Sequence, residues 1–268
     1  MPTVRSPAVA GMFYSAEPRQ LARDVQRMLA EARPCDTIPK ALIVPHAGYI
    51  YSGAIAATAY ASLASIAARI RRVVLLGPTH RVAVRGLALP GVEAFATPLG
   101  RVMLDAEAAQ AITHLPQVVV SAQAHELEHS LEVQLPFLQS VLSDFTLLPL
   151  AVGMTTPEEV AEVLEVVWGG AETLIVISSD LSHFLPYAAA QRVDKETVES
   201  ILKLRQPLTH EQACGGTPIN GLIIAARQHH LSPHLLDLRN SGDTAGTRDR
   251  VVGYGAFAFS GEDDHVRH

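Results

Sequence analysis

The chain has 268 residues, with 21 basic and 27 acidic side chains and a formal net charge of −6. Apolar residues make up 48% of it and charged residues 18%, which predicts a large core and excludes extensive disorder. The mild acidity provides no basic stripe for phosphates, which argues against a nucleic-acid partner. Two cysteines against twelve histidines argue against a disulfide-rich secreted module, and the histidine excess needs an explanation.

The sequence carries no signal for export or for the membrane. The N-terminal residues have no continuous apolar stretch of the kind that a signal peptide needs. No run approaches the roughly 18 apolar residues of a spanning helix. We therefore expect a cytoplasmic protein with no membrane partner.

Short apolar runs alternate with longer amphipathic patterns along the chain. In chain order they predict helix 18–32, strand 41–45, helix 55–66, strand 72–76, a hairpin within 86–100, helix 105–114, helix 130–142, strand 145–152, helix 157–168, strand 173–178, helix 187–204, helix 219–228 and strand 251–259. Asp105 and Thr156 are the predicted N-caps of their helices.

The predicted strands are almost continuously apolar, as strands buried on both faces are. Strand–helix alternation of this kind predicts an α/β fold with a mixed central β-sheet and helices on both faces. No linker or repeat divides the chain, so we expect a single domain over 1–260 followed by a polar tail at 261–268.

Histidines follow three of the predicted strands directly. His46 follows ALIVP, His80 follows RVVLLG, and His183 follows TLIVIS; His129 lies at the start of a predicted helix. Ligands of open α/β sheets bind outside the carboxyl ends of the strands. We therefore expect these imidazoles to share one site, although a single histidine in such a loop is more often a surface residue.

Neutral imidazole is the commonest metal ligand, and two or three with one anionic group suit iron, copper or zinc. The candidate anions are Asp180, Glu126, Glu128 and Cys214. Asp180 could be a ligand or could orient a ligating imidazole. Glu128, beside His129, could do likewise, although either carboxylate is also reasonable at the start of a helix.

Cys214 lies in the glycine-rich turn ACGGTPINGL, which opens a predicted helix. A thiol at a helix N-terminus has a lowered pKa, so Cys214 could be a ligand or a nucleophile; the alternative is a small buried side chain. Ser178 and Ser179 also follow a strand, but nothing marks either as activated. Seven histidines are predicted to be solvated: His114, His210, His229, His230, His234, His265 and His268.

Seven strings spread over nearly the whole chain resemble the MEMO family, whose bacterial and archaeal members include the AmmeMemoRadiSam system protein B. They are RSPAVAGMFYS, VPHAGYIYSG, GPTH, EHSLEVQLPF, SSDLSHF, ACGGTPI and VVGYGAFAF. The family is similar in fold to class III extradiol dioxygenases. The resemblance implies a metal site of His46, His80 and Cys214, with His129 and His183 as acid–base groups and Asp180 in the pocket. It also implies radical-SAM and AMMECR-like proteins as companions.

The dioxygenases use two histidines and a carboxylate, whereas the third position here is Cys214, a softer ligand that favours copper or a redox-active iron. We therefore expect a metal-dependent redox or dioxygenase-type enzyme acting on a small molecule. Two alternatives stay open. One is a non-catalytic adaptor that binds a peptide or protein partner in the same pocket, and the other is an enzyme with Cys214 as its nucleophile.

Overall fold

A computed structural model describes residues 3–33 and 37–261. Its strands are β1 (Val4–Arg5), β2 (Ala41–Val44), β3 (Arg72–Pro78), β4 (Leu87–Leu89), β5 (Ala94–Thr97), β6 (Gly100–Met103), β7 (Val118–Val120), β8 (Thr146–Val152), β9 (Thr173–Ser178), β10 (His183–Leu185), β11 (Leu231–Asn240) and β12 (Val251–Gly261). Its α-helices are α1 (Pro18–Glu31), α2 (Tyr49–Ala61), α3 (Ala106–Ile112), α4 (Ala122–Glu126), α5 (Leu135–Val141), α6 (Pro157–Val166), α7 (Tyr187–Leu202) and α8 (Gly216–Gln228).

Nine strands form one mixed sheet in the order β10-β12-β2-β9-β3-β8-β4-β7, with β11 paired to β12. Its centre is parallel, because β2 pairs with β9, β9 with β3, and β3 with β8 in the same direction. Strands β12 and β4 run antiparallel to this centre on its two sides. A smaller sheet contains β1, β5 and β6.

Helices cover both faces of the large sheet, as predicted. Leu42 and Val44 of β2 join a core that contains apolar side chains of α1, α2 and α5. Ala41 and Ile43 join a second core with side chains of α3, α6, α7 and α8. This alternation follows from the two-residue period of a strand. It explains why the central strands are apolar on both faces.

Several predicted boundaries agree with the structure. The strand predicted at 173–178 is β9, and the ends of β2, β3, β8 and β12 lie within two residues of their predicted positions. The side chain of Asp105 accepts a hydrogen bond from the amide of Ala108. Thr156 and Glu159 form a reciprocal capping box. These features depend on local sequence alone, which is why they could be predicted.

The helix predicted at 55–66 is wrong at both ends, because α2 begins at Tyr49 and ends at Ala61. A glycine inside a helix is unfavourable in isolation. Here a Cβ on Gly53 would lie 2.6 Å from the sulfur of Met28, so the glycine allows α1 to approach α2 closely. The early start places α2 directly after the loop that contains His46.

The helix predicted at 130–142 and the hairpin at 86–100 also need correction. A 3₁₀ turn occupies Glu132–Gln134, and regular helix begins at Leu135 because Pro136 is tolerated only in a first turn. The hairpin consists of β5 and β6. Strand β4, from the same stretch, joins the large sheet instead.

Three strands of the large sheet were not predicted, namely β7, β10 and β11. Strand β11 contains Pro233, which argues against a strand, and its register is interrupted between Leu235 and Asp237. Pairing of β11 from Leu231 to Asn240 with residues 253–261 of β12 stabilises it nevertheless. Of the predicted tail, Gly261 belongs to β12 and the remainder lies outside the described residues. Among the described helices, none combines the length and the apolar character needed to cross a bilayer.

A buried ion pair fixes the N-terminal segment to the body of the fold. The Glu132 carboxylate accepts hydrogen bonds from Arg5 Nη1 (2.7 Å), Tyr14 Oη (2.5 Å) and the amides of Ala8 (2.7 Å) and Val9 (3.0 Å). Arg5 also donates from Nε to the carbonyl of His125. The N-terminal segment that contains RSPAVAGMFYS is therefore held against the segment that contains EHSLEVQ. We call this set of contacts to Glu132 the N-terminal clamp.

We predict that Glu132→Gln lowers the free energy of unfolding by about 3–5 kcal/mol, because Arg5 is then buried without a countercharge. Tyr14→Phe removes one hydrogen bond and keeps the ion pair, so its loss is smaller, about 1.5–3 kcal/mol. Urea unfolding of the three proteins measures both. Equal stability of wild type and Glu132→Gln would contradict the clamp.

Candidate metal centre

Three site residues occupy equivalent positions on neighbouring strands. His46, His80 and Asp180 are each the second residue after the end of a strand, β2, β3 and β9 respectively. These strands are adjacent and parallel. Their carboxyl ends therefore bring all three residues to one edge of the sheet, as expected.

His46, His80 and His129 form a compact cluster. One ring nitrogen from each lies within 4.8 Å of the other two. The His80 and His129 rings are stacked with centroids 4.7 Å apart, and the His46 ring stands edge-on to both, at 5.2 and 5.5 Å. The predicted gathering of imidazoles is confirmed for these three, and His129 is an inner member of the group.

Glu128 orients His80. Its carboxylate accepts hydrogen bonds from the His80 amide (2.6 Å), from His80 Nδ1 (2.9 Å), and from the amides of His129 and Ser130 (2.9 Å each). Burial by itself would raise the Glu128 pKa, but the hydrogen bonds and charge of His80 and the backbone amides lower it to about 2. Because Nδ1 is engaged, the Nε2 lone pair of His80 is free to bind a ligand.

His46 is almost completely buried, with 1% of its surface exposed. Its Nδ1 lies 2.9 Å from Ser178 Oγ, and its Nε2 lies 3.3 Å from the sulfur of Cys214. Burial and the neighbouring imidazoles lower the pKa of His46 well below its usual value. The ring is therefore neutral at pH 7, the form that binds metals.

His129 lies between Glu128 and the N-terminal segment. Its Nδ1 is 3.3 Å from Glu128 Oε1, and its ring packs on Phe13 with centroids 4.9 Å apart. Burial lowers the pKa of His129 to about 4. The N-terminal clamp thus also positions Phe13 against the ring of His129.

The structure contradicts the expected reactivity of Cys214. The thiol precedes α8, but burial and the charge of Asp180 raise its pKa to about 12. A thiol in this state is not a nucleophile at neutral pH. The raised pKa disfavours Cys214 as a nucleophile, and its sulfur lies 3.3 Å from Nε2 of His46.

Asp180 anchors the backbone of the site. Its Oδ1 accepts a hydrogen bond from the amide of His46 at 2.7 Å. Burial raises the Asp180 pKa to about 7, and the hydrogen bonds from the backbone oppose this rise. Of the two roles considered from sequence, ligand or orienting group, the contact supports an orienting role through the main chain.

His183 lies apart from the compact cluster, as the first residue of β10. Its Nδ1–H donates to the carbonyl of Leu181 at 2.8 Å, which leaves Nε2 to exchange a proton. His183 and His80 line the same cleft, together with Cys214. This open space measures about 1250 Å³ and also receives Glu196 and Glu211.

Two further histidines lie outside the compact cluster. His210, predicted to be solvated, is exposed but lines the cleft. His125, to which the sequence analysis assigned no role, is buried with 1% of its surface exposed. Its Nε2–H donates to the carbonyl of Ala88 at 2.7 Å, and burial lowers its pKa to about 4. Its contacts indicate a structural role.

Comparisons with known proteins now bear on this geometry. A family model described as Memo-like protein matches residues 5–258. The chain belongs to the Memo family. It is 33% identical to a MEMO1 family protein of Metallosphaera sedula, over 96% of this chain and 99% of the relative. It is 34% identical to one of Methanosarcina barkeri, over 94% and 98%.

A solved structure supports the fold of this Memo-family chain. The uncharacterized protein JW3007 of Escherichia coli K12 superimposes with a TM-score of 0.53, over 82% of this chain and 99% of its own, at 14% identity. At that identity the likeness concerns the fold alone. The site of the Memo-family chain must be argued from its own residues.

The donor set of this Memo-family chain fits a transition metal. The Nδ1 atoms of His46 and His80 are held by protein partners, which leaves the Nε2 lone pairs for an ion. Imidazole suits iron, copper, zinc and nickel, and a thiolate adds affinity for the softer ions. A possible metal site is thus present, and the donors do not by themselves select the ion.

We predict that Glu128→Gln weakens metal binding about tenfold to a hundredfold, because His80 loses its charged partner. The measurement is competition with a chromophoric chelator, using Zn²⁺ and Fe²⁺ in turn. Glu126→Gln is the matched control, since Glu126 is the exposed carboxylate two residues away. Equal effects of the two substitutions would contradict the role of Glu128.

Proposed function

We propose that this protein is a metal-dependent redox enzyme with a non-haem iron or copper centre held by His46, His80 and His129. Cys214 supplies a further ligand beside His46. The observation that carries the proposal is the convergence of three imidazole nitrogens within 4.8 Å at the carboxyl edge of the sheet. Together with Cys214, these residues include the ligands that the family resemblance implies and add His129.

The position of Cys214 supports it as a neighbouring ligand. Its sulfur lies 3.3 Å from His46 Nε2, a separation that two ligands of one ion can have, since metal–nitrogen and metal–sulfur bonds are about 2.1 and 2.3 Å long. A bound cation favours the thiolate, so the high pKa of the free thiol does not prevent ligation. Cys214 also borders the cleft, so it faces any bound substrate.

Iron or copper in this site supplies one-electron chemistry. Side chains of the protein itself move protons and position the loops of the site. The imidazole of His183 borders the cleft with Nδ1–H held by the carbonyl of Leu181, so Nε2 accepts a proton from a bound molecule or returns one. Asp180 holds the His46 amide and thereby the loop between β2 and α2. Dioxygenase-type chemistry on a small molecule is the form that we propose.

The side chains that line the cleft indicate which class of substrate it can bind. Apolar side chains of Val84, Val152 and Leu185 line it, together with the carboxylates of Glu196 and Glu211. Among the described residues that line it, none is Lys or Arg. Neutral or positively charged small molecules therefore suit the cleft better than anions do.

We predict that wild-type protein purified without an affinity tag contains iron or copper, and that His46→Ala and His80→Ala lose it. His129→Ala and Cys214→Ser each weaken retention, and the larger loss identifies the stronger third ligand. Elemental analysis and anomalous scattering across the iron, copper and zinc edges measure this. His210→Ala, which alters the cleft outside the cluster, is the control. No metal in wild type and an unchanged His46→Ala would contradict the proposal.

An adaptor function is the second candidate, because exposed apolar side chains lie on the segments that carry the site. More than half of the residue surface is exposed in Met12, Ile50, Leu127, Met154 and Phe184. Met12 precedes Phe13, Leu127 precedes Glu128, and Phe184 follows His183. Exposed apolar residues next to site residues suit the binding of a peptide or protein partner.

The adaptor function predicts partner binding that survives replacement of His46, His80 and His129 by Ala and is lost in the double variant Ile50→Ser, Phe184→Ser. Val166→Ser is the matched control, because Val166 is exposed at the end of α6, away from this edge. Titration calorimetry with a peptide recovered from cross-linked complexes measures the affinity. Loss of binding in the histidine variant would instead support a role for the metal centre.

A further inference from the structure

Ser178 connects His46 to the interior of the protein. It is the last residue of β9 and is completely buried. Its Oγ has three neighbours at hydrogen-bond distance: the carbonyl of Ser130 (2.6 Å), Nε2 of Gln134 (2.8 Å) and Nδ1 of His46 (2.9 Å). Sequence alone gave Ser178 no role beyond that of an unactivated hydroxyl.

The single hydroxyl proton of Ser178 decides the direction of these bonds. A carbonyl oxygen only accepts, so Ser178 must donate its proton to Ser130. An amide nitrogen only donates, so Gln134 uses one lone pair of Ser178 Oγ. The remaining lone pair can only accept, and His46 Nδ1 must therefore carry a proton.

The orientation of the Gln134 amide is fixed independently. Its Nε2 also donates to the carbonyl of Pro45 at 2.9 Å, and its Oε1 accepts from the hydroxyl of Tyr60 at 2.9 Å. A flipped amide would place two oxygens against each other at Pro45 and is excluded by this contact. Gln134 and Tyr60 are both fully buried, so water cannot substitute for these partners.

We propose that Ser178, held in place by Gln134, is a positioning residue that locks His46 in the tautomer protonated at Nδ1 and turns the Nε2 lone pair toward the metal centre. This inference rests on the proposed function for its purpose, although the tautomer itself is a property of the metal-free protein. In that state Nε2 is an acceptor that faces the thiol of Cys214.

The network also explains why His46 can be so deeply buried. His80 is oriented by a carboxylate, whereas the ring of His46 lies between the Ser178 hydroxyl at Nδ1 and the Cys214 thiol at Nε2. A neutral acceptor at Nδ1 fixes the ring without placing a further buried carboxylate against it. One polar chain from Tyr60 to His46 therefore orients the ligand and leaves each of its atoms satisfied.

The test is long-range ¹H–¹⁵N NMR on histidine-labelled, metal-free protein at pH 7, which reports the protonated nitrogen of each imidazole. We expect His46 to carry its proton on Nδ1 in wild type. In Ser178→Ala we expect a mixture with the Nε2-protonated form, together with Zn²⁺ binding weakened tenfold to a hundredfold. Ser178→Thr retains the hydroxyl and is expected to restore both.

Ser62→Ala is the matched control, because Ser62 is a buried serine whose Oγ donates to a carbonyl at 2.6 Å without touching a histidine. A proton on Nε2 of His46 in wild type would overturn the proposal, and this result needs no variant to fold. A folded Ser178→Ala that keeps the proton on Nδ1 would also overturn it. If wild type shows the expected tautomer but binds no metal, the proposed function fails and the tautomer lock stands.

Discussion

Two buried carboxylates, Glu128 and Glu132, organise the site because a charge removed from water must find donors within the protein. Glu132 satisfies this need with Arg5, Tyr14 and two amides of the N-terminal segment. Glu128 does so with His80 and the start of the following turn. The five-residue stretch 128–132 thus holds both the N-terminal segment and the imidazole of His80, and it cannot shift without leaving a buried charge unpaired.

The apolar and polar parts of the fold have different tasks. Packing of alternate side chains on β2, β3 and β9 brings the carboxyl ends of three strands to one edge. That places the main chain of His46 and His80 but does not orient their rings. Ring orientation comes from Ser178 for His46 and from Glu128 for His80. Buried hydrogen bonds are directional, so they fix what packing leaves free.

Features that depend on local sequence could be predicted, and those that depend on distant partners could not. Continuous apolar runs and N-cap residues predicted β9 and the caps at Asp105 and Thr156. The close packing of α1 on α2 depends on the absence of a Cβ at Gly53, and β11 depends on pairing with β12. In the site, histidines after strands indicated the cluster. The roles of Ser178 and Gln134 could not be predicted, because they depend on hydrogen bonds to His46 and to each other that form only in the folded protein.

The two buried carboxylates differ in the charge of their partners. Arg5 neutralises Glu132, whereas the Glu128 carboxylate contacts only imidazoles and backbone amides among the described residues. Burial keeps His46 and His129 neutral and keeps the Cys214 thiol protonated, because a low-dielectric site disfavours either sign of charge. His46 and His129 thus offer neutral imidazoles close to the buried Glu128 carboxylate. A divalent cation held by these imidazoles, as proposed above, would place a positive charge close to Glu128 and use the free lone pairs of the rings.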